Sequence, residues 1–143
     1  MREGDDKPQG ELLLKTLPMA GDTGFNETVF GGWIMAQLDL AGSILAKECA
    51  HTRTAMVAAD GLRFSRPIRV GDVVSCYGRV LRVGSSSLTL GLEVWVMPVM
   101  PEREGTFRLF KAAEGNITYV SLGPDGKKQA IDRALLKDRL PSE

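Results

Sequence analysis

The stretch Phe30-Gly31-Gly32-Trp33-Ile34-Met35-Ala36-Gln37-Leu38-Asp39-Leu40-Ala41-Gly42-Ser43-Ile44-Leu45-Ala46 decides how this chain folds. It is apolar or small on nearly every side and carries one charge, Asp39, in its middle. A helix with no polar face has to be wrapped by other structure over most of its surface, because exposing that much apolar area forfeits about 25 cal/mol per Å². The run therefore predicts a central helix. As a membrane span it falls short of the roughly 20 residues that cross a bilayer, and it holds Gly31, Gly32, Gln37 and Asp39. An aspartate at mid-bilayer costs roughly 2.5–3.5 kcal/mol even on the lenient insertion scale. What remains is a carboxylate in a soluble core, ion-paired, protonated, or turned toward a pocket where a charge is useful.

Upstream, Gly21 to Thr28 is a loop of residues that bend or cap the backbone, with Thr28 a candidate N-cap. The Gly31-Gly32 pair at the helix start costs about 1 kcal/mol per glycine relative to alanine, so it needs a reason. Close contact of the helix with a sheet is one. Room for a ligand to reach the free N–H groups at the positive end of the helix is the other. Farther upstream, Glu11 to Leu17 reads as a short strand ended by Pro18, and residues 1–10 as a flexible tail.

Downstream, Lys47, Glu48 and His51 form a polar exit, where a cation suits the helix C-terminus. That structural role outweighs a catalytic one for His51, the only histidine, because no nucleophile elbow accompanies it. From Thr54 the period changes to two. Ala55 to Phe64 and Val73 to Val83 read as strands, and Leu88, Leu90, Leu92, Val94 and Val96 alternate with Thr89, Gly91, Glu93, Trp95 and Met97 in the clearest strand of the chain. Gly84-Ser85-Ser86-Ser87 is a tight hairpin connection. Phe107 to Ala112 and Ile117 to Leu122 read as halves of a last long strand, bent or bulged at Gly115-Asn116. Gln129 to Leu140, with Ile131, Leu135 and Leu136 on one side, reads as a short helix. The pattern is α+β: one strand, one buried helix, then four antiparallel strands at hairpin distances. A curled sheet around the helix satisfies it, the inner face covering the helix and the outer face taking the polar alternates.

The 143 residues, 43% of them hydrophobic, suit one compact domain. Eighteen basic residues balance eighteen acidic ones, so no nucleic-acid or anionic membrane surface is advertised. Cys49, Cys76 and His51 cannot supply the four ligands of a structural zinc site, and buried free thiols are expected. Met1 to Gln9 has no apolar leader segment, and a reducing, cytoplasmic setting is expected.

Asp22-Thr23, Asn26, Phe30 to Met35, Gln37, Asp39 and Ile44 to Glu48 strongly resemble the YciA-type acyl-CoA thioesterases of the hotdog superfamily. The similarity continues through Phe64, Pro67, Val70 to Val74, Val83-Gly84, Ser86, Glu93 to Val96 and Thr118 to Val120, and covers roughly residues 14 to 126. The resemblance implies a hotdog fold, a long central helix wrapped by a curled antiparallel sheet of five to six strands. The domain would span 11–126, followed by a short helix or tail over 127–143. It also implies self-association as a dimer joined sheet edge to sheet edge, in many members a trimer of dimers. The implied activity is hydrolysis of a fatty acyl-CoA to free acid and CoA. Asp39 matches the family's catalytic carboxylate, a general base or nucleophile, and Gly32 its backbone oxyanion donor. No cofactor and no metal is expected, since CoA is part of the substrate and a thioester is already activated.

This sequence departs from the family where Gly24 replaces an asparagine and where Thr28 stands in place of an Asp or Asn that often lines the site opposite the acid. At the last bend, Gly115-Asn116 replaces an apolar pair. Asn26, Thr28 and Gly31 are the candidate substrate contacts near the reacting group. For the CoA end the candidates are Arg82, Gly84, Ser85 and Ser86 of the hairpin, and Arg66, because phosphates favour guanidinium forks and free turn N–H groups. Plain hairpin and solvated arginine are the competing readings. The alternative function is a non-hydrolytic acyl-CoA-binding hotdog protein, a sensor or carrier, impaired at Gly24 and Thr28. Dehydration or hydration of an acyl chain ranks last, since His51 is misplaced for it.

Overall fold

The computed structural model describes residues 7–24, 27–100 and 108–141. Strand β1 (Glu11–Thr16) leads through a 3-10 turn at Ala20–Asp22 to helix α1 (Gly31–Ala50). Strands β2 (Arg53–Phe64), β3 (Val73–Val83), β4 (Ser87–Met97) and β5 (Phe110–Leu122) follow, then a 3-10 segment at Arg133–Arg139. The sheet has five strands in the order β1-β3-β4-β5-β2, with every pair antiparallel.

Helix α1 is one turn longer than the apolar run suggests. It stops where His51 turns left-handed at φ 58° and donates its N–H to the Lys47 carbonyl at 2.9 Å, the expected closure of a helix C-terminus. Ile34, Leu38, Ala41, Leu45 and Cys49 recur at three- and four-residue steps and are buried against Leu88, Leu90, Leu92 and Val94 of β4 and Ile117 and Tyr119 of β5. Each such leucine contributes about 1.5–3 kcal/mol on burial.

The expected wrapping is incomplete. Leu40 and Ile44 are exposed, as is Phe30 at the cap, because one sheet covers one side of a helix only. Thr28 is not the cap either: Phe30 holds that position without a side-chain bond, and Thr28 bridges Arg69 across the loop.

Strands β3, β4 and β5 run in order, but β2 does not neighbour β3. It pairs with β5 at the far edge, and the link from β2 to β3 crosses one end of the sheet, where Ser65 N–H bonds the Ala112 carbonyl and the Ile68 carbonyl receives Val29 N–H. Alternation along β2 identifies a strand but not its neighbour. The Gly84–Ser86 hairpin closes as expected, Gly84 N–H donating to the Ser87 carbonyl at 2.8 Å.

The expected bulge at Gly115-Asn116 is on the opposite strand. Strand β5 is continuous there against β4, and β2 takes up the irregularity between Asp60 and Arg63, where Gly61 has φ 61°. Gly115 is small for another reason: a Cβ there would lie 2.4 Å from Leu62 Cδ2. The outer face is not uniformly polar, since Trp95 is 2% exposed and donates its Nε1–H to Glu93 Oε1 at 2.8 Å.

At the C-terminal end Ile131 and Leu136 join the core while Leu135 is exposed, so the expected three-residue apolar side is reduced to two by the kink at Leu136. Arg139 ties this segment to Glu11 and Glu48 at 3.0 and 2.8 Å. The expected start of the last strand at Phe107 lies outside the described residues.

Candidate active site

Asp39 occupies the ninth position of α1 and is half-buried. Its carboxylate Oδ1 accepts from Tyr119 Oη at 3.0 Å and from Ser43 Oγ, one turn on, at 3.3 Å. The same phenol lies 3.1 Å from the Asp39 carbonyl oxygen. Of the three states open to this carboxylate, the ion pair is absent among the described residues. Burial first, and then the adjacent Asp39 carboxylate, push the Tyr119 phenol well above its ordinary range, so it stays a protonated donor.

Gly42 makes this contact possible. A Cβ there would sit 2.2 Å from Tyr119 Oη and 2.7 Å from the ring. Neither Tyr119 nor Ser43 was among the residues expected at the site. Spacing could have offered Ser43, at i+4 from Asp39, whereas Tyr119 is 80 residues away in the chain.

Gly31 and Gly32 open the helix and are both exposed, and a methyl on either would meet nothing within 4 Å. Of the two reasons for the pair, close contact with the sheet is therefore removed for the described residues. Their N–H groups have no intrahelical acceptor, as at every helix start. Gly32 and Asp39 are seven residues apart, so they share a side of α1 about 10 Å apart along its axis.

The remaining candidates are spread out. Arg66 stacks its guanidinium over Phe110, 3.8 Å from the ring centroid, at the end of the sheet where Phe110 pairs with Val96. The hairpin lies at the other end, where Ser87 pairs with Val120, about 30 Å away along β4. One chain does not bring these two groups together.

Arg82 reaches Thr89 Oγ1 at 3.3 Å, and Thr89 meets Thr118 at 3.0 Å. Thr118 precedes Tyr119 and so faces away from α1. In the hairpin, the Ser85 and Ser86 carbonyls accept from Ile131 and Ser121, and Gly84 N–H is spent on the turn. The Thr28 carbonyl accepts from Gly24 N–H at 2.9 Å. Asn26 lies outside the described residues.

Cys49 and Cys76 are free and buried, and burial pushes the Cys76 thiol up to about 12. A cleft of about 370 Å³ opens on the outer face around Arg79 and Asn116, and another of about 290 Å³ lies between α1 at Leu45, the β1–β3 edge and Arg139. Neither is lined by Asp39.

The thioesterase superfamily model matches residues 26–98, which include α1, the Gly-Gly pair and Asp39. The acyl-CoA thioester hydrolase YciA of Salmonella typhimurium is 47% identical over 127 residues, 89% of this chain and 94% of that protein. This chain is a member of the YciA-type acyl-CoA thioester hydrolases. Its fold is the hotdog of this family. A crystal structure of a hexameric broad specificity acyl-coenzyme A thioesterase superimposes with a TM-score of 0.85 at 42% identity, covering 92% of this chain and 95% of the other. The hexameric thioesterase of Yersinia pestis gives 0.82 at 44% identity, covering 88% and 99%. Among the described residues, no helix of this family member is long and apolar enough to cross a membrane.

Proposed function

We propose that this hotdog domain hydrolyses acyl-CoA thioesters to the free acid and CoA, with Asp39 as the reacting carboxylate and Gly32 N–H as the oxyanion donor. The observation that carries the reading is the state of Asp39. It is the only acid in the first two and a half turns of α1, and two neutral donors meet its Oδ1 while no described residue bonds Oδ2. A carboxylate so placed can take a proton from water as it attacks the thioester carbonyl, or attack that carbon itself. The carbonyl oxygen then gains charge beside the Gly32 N–H at the positive end of the helix of a second subunit, since Gly32 and Asp39 of one chain lie about 10 Å apart along α1. The C–S bond breaks and CoA leaves as the thiol, receiving the proton that Asp39 took from water; on the nucleophilic route the acyl group is left on Asp39 as a mixed anhydride, which water then cleaves to the free acid.

Thr28 and Gly31 line the approach to Gly32 in this reading, and Asn26 remains a proposed substrate contact. Arg66, Arg82 and the Gly84–Ser86 hairpin are the proposed CoA contacts. Their separation within one chain favours a site assembled from two subunits. The exposed Leu40 and Ile44 on α1 and Met56 and Val57 on β2 offer an apolar surface for such a second copy. A dimer, built up to a trimer of dimers, is the proposed assembly, with 11–126 as the hotdog unit and 127–143 closing beside it. The proposed setting is cytoplasmic, and the chemistry asks for no metal or organic cofactor.

The test is free-thiol release from short, medium and long acyl-CoAs by the protein and its Asp39→Asn variant. The variant keeps the volume and removes the base, and turnover is expected to fall at least about 100-fold. Retained turnover overturns the assignment of Asp39. Tight binding by both proteins without hydrolysis by either would favour the non-hydrolytic carrier or sensor.

A further inference from the structure

A buried hydroxyl has to find a partner. Tyr119 is 1% exposed and reaches from β5 across to α1, where its hydroxyl meets Asp39 at the carbonyl oxygen and at Oδ1, with the Ser43 hydroxyl also in reach. The helix accommodates it with a glycine in mid-helix, a substitution that costs about 1 kcal/mol relative to alanine. The gap at Gly42 is shaped to the ring and hydroxyl, since a Cβ would come within 2.2 Å of Oη and 2.8 Å of Cζ. A phenylalanine would fill nearly the same core volume. What the hydroxyl adds is its contact with Asp39 and the neighbouring Ser43.

The terminal torsion of an aspartate is soft, with broad wells. Here Tyr119 and Ser43 both donate to the same oxygen, Oδ1, and so select one orientation of the carboxylate plane and leave Oδ2 as the open acceptor. Both donors are neutral. An arginine or lysine would hold the group equally well but would offset the negative charge on which a base or nucleophile depends.

We infer that Tyr119 is a positioning residue for the hydrolysis, fixing the Asp39 carboxylate through Oδ1 so that Oδ2 faces the substrate, with Gly42 making room and Ser43 as the second donor. The inference rests on Asp39 being the reacting carboxylate.

The experiment is steady-state hydrolysis by Tyr119→Phe, Asp39→Asn and the double variant, with a thermal melt of each. Tyr119→Phe is expected to stay folded and lose about 10- to 100-fold in kcat, the loss of one hydrogen bond to a charged group, with KM little changed. In the double variant, the residual rate is expected to equal that of Asp39→Asn alone, because Tyr119 acts only through the carboxylate. A folded Tyr119→Phe with unchanged kcat, or an equal fractional loss on top of Asp39→Asn, overturns the positioning role while leaving Asp39 as the reacting group. Full turnover in Asp39→Asn overturns both. If Tyr119→Phe does not fold, Ser43→Ala decides: a fall in kcat at constant KM supports the inference, and an unchanged kcat overturns it.

Discussion

Helix α1 places glycines in two opposite surroundings. At Gly31 and Gly32 a methyl group would meet nothing within 4 Å, whereas at Gly42 it would drive into the Tyr119 ring and hydroxyl. The residue type is the same and the helical cost is similar, yet one pair leaves backbone donors open and the other glycine lets a phenol close on a carboxylate. The helix start is thus open among the described residues, and the helix middle is held by the chain itself. In the proposed chemistry the first receives the substrate oxygen and the second aims the acid.

The same substitution at both places should act in opposite ways. Gly42→Ala is expected to destabilise the protein by about 1–3 kcal/mol, because overpacking outweighs the gain in helix propensity. It should also lower kcat by pushing the phenol off Asp39. Chemical denaturation and thiol-release kinetics check both effects, and an unperturbed variant would mean that the ring moves aside freely.

A second test concerns the buried titratable groups that the sheet encloses. The Cys76 thiol, ordinarily near 9.0, is raised to about 12 by burial, and Tyr119 is raised from 10.0 by burial and by Asp39. A raised folded value favours the fold below the unfolded value, and the benefit is lost as pH climbs through the folded one. Stability is therefore expected to decline from about pH 9 upward toward pH 12, with a shallower slope in Cys76→Ala. Denaturant melts across that range check this, and a flat profile would mean that the thiol ionises as freely in the fold as outside it.

The smallest effect is expected at the open end. Gly32→Ala should leave stability unchanged or raise it by up to about 1 kcal/mol, while turnover falls because the methyl stands beside the proposed oxyanion donor. Lost stability instead would show that a second subunit crowds the helix start.

Much of this was legible in the chain. The apolar run from Phe30 to Ala46 announced a helix needing cover, and strict alternation from Leu88 to Met97 announced a strand with one face on that cover; both lie where expected. Cys49 and Cys76 are buried free thiols as their surroundings suggested, and His51 closes the helix. Asp39 stood out because a charge on an apolar helix demands a reason. The neighbour of β2, the burial of Trp95 on the outer face and the exposure of Leu135 were not legible, since periodicity assigns an element and its faces but not what lies against each face.

A central helix carrying a carboxylate, a set of alternating strands and a glycine pair at the helix start all follow from local period, propensity and the cost of exposing apolar surface. That β2 crosses to the far edge, that Arg66 and the Gly84–Ser86 hairpin lie at opposite ends of one sheet, and that Tyr119 fits over Gly42 onto Asp39 emerges from the folded chain alone. Those facts depend on which strand pairs with which and in what register. A contact between residues 80 positions apart exists only once the whole sheet has closed over the helix.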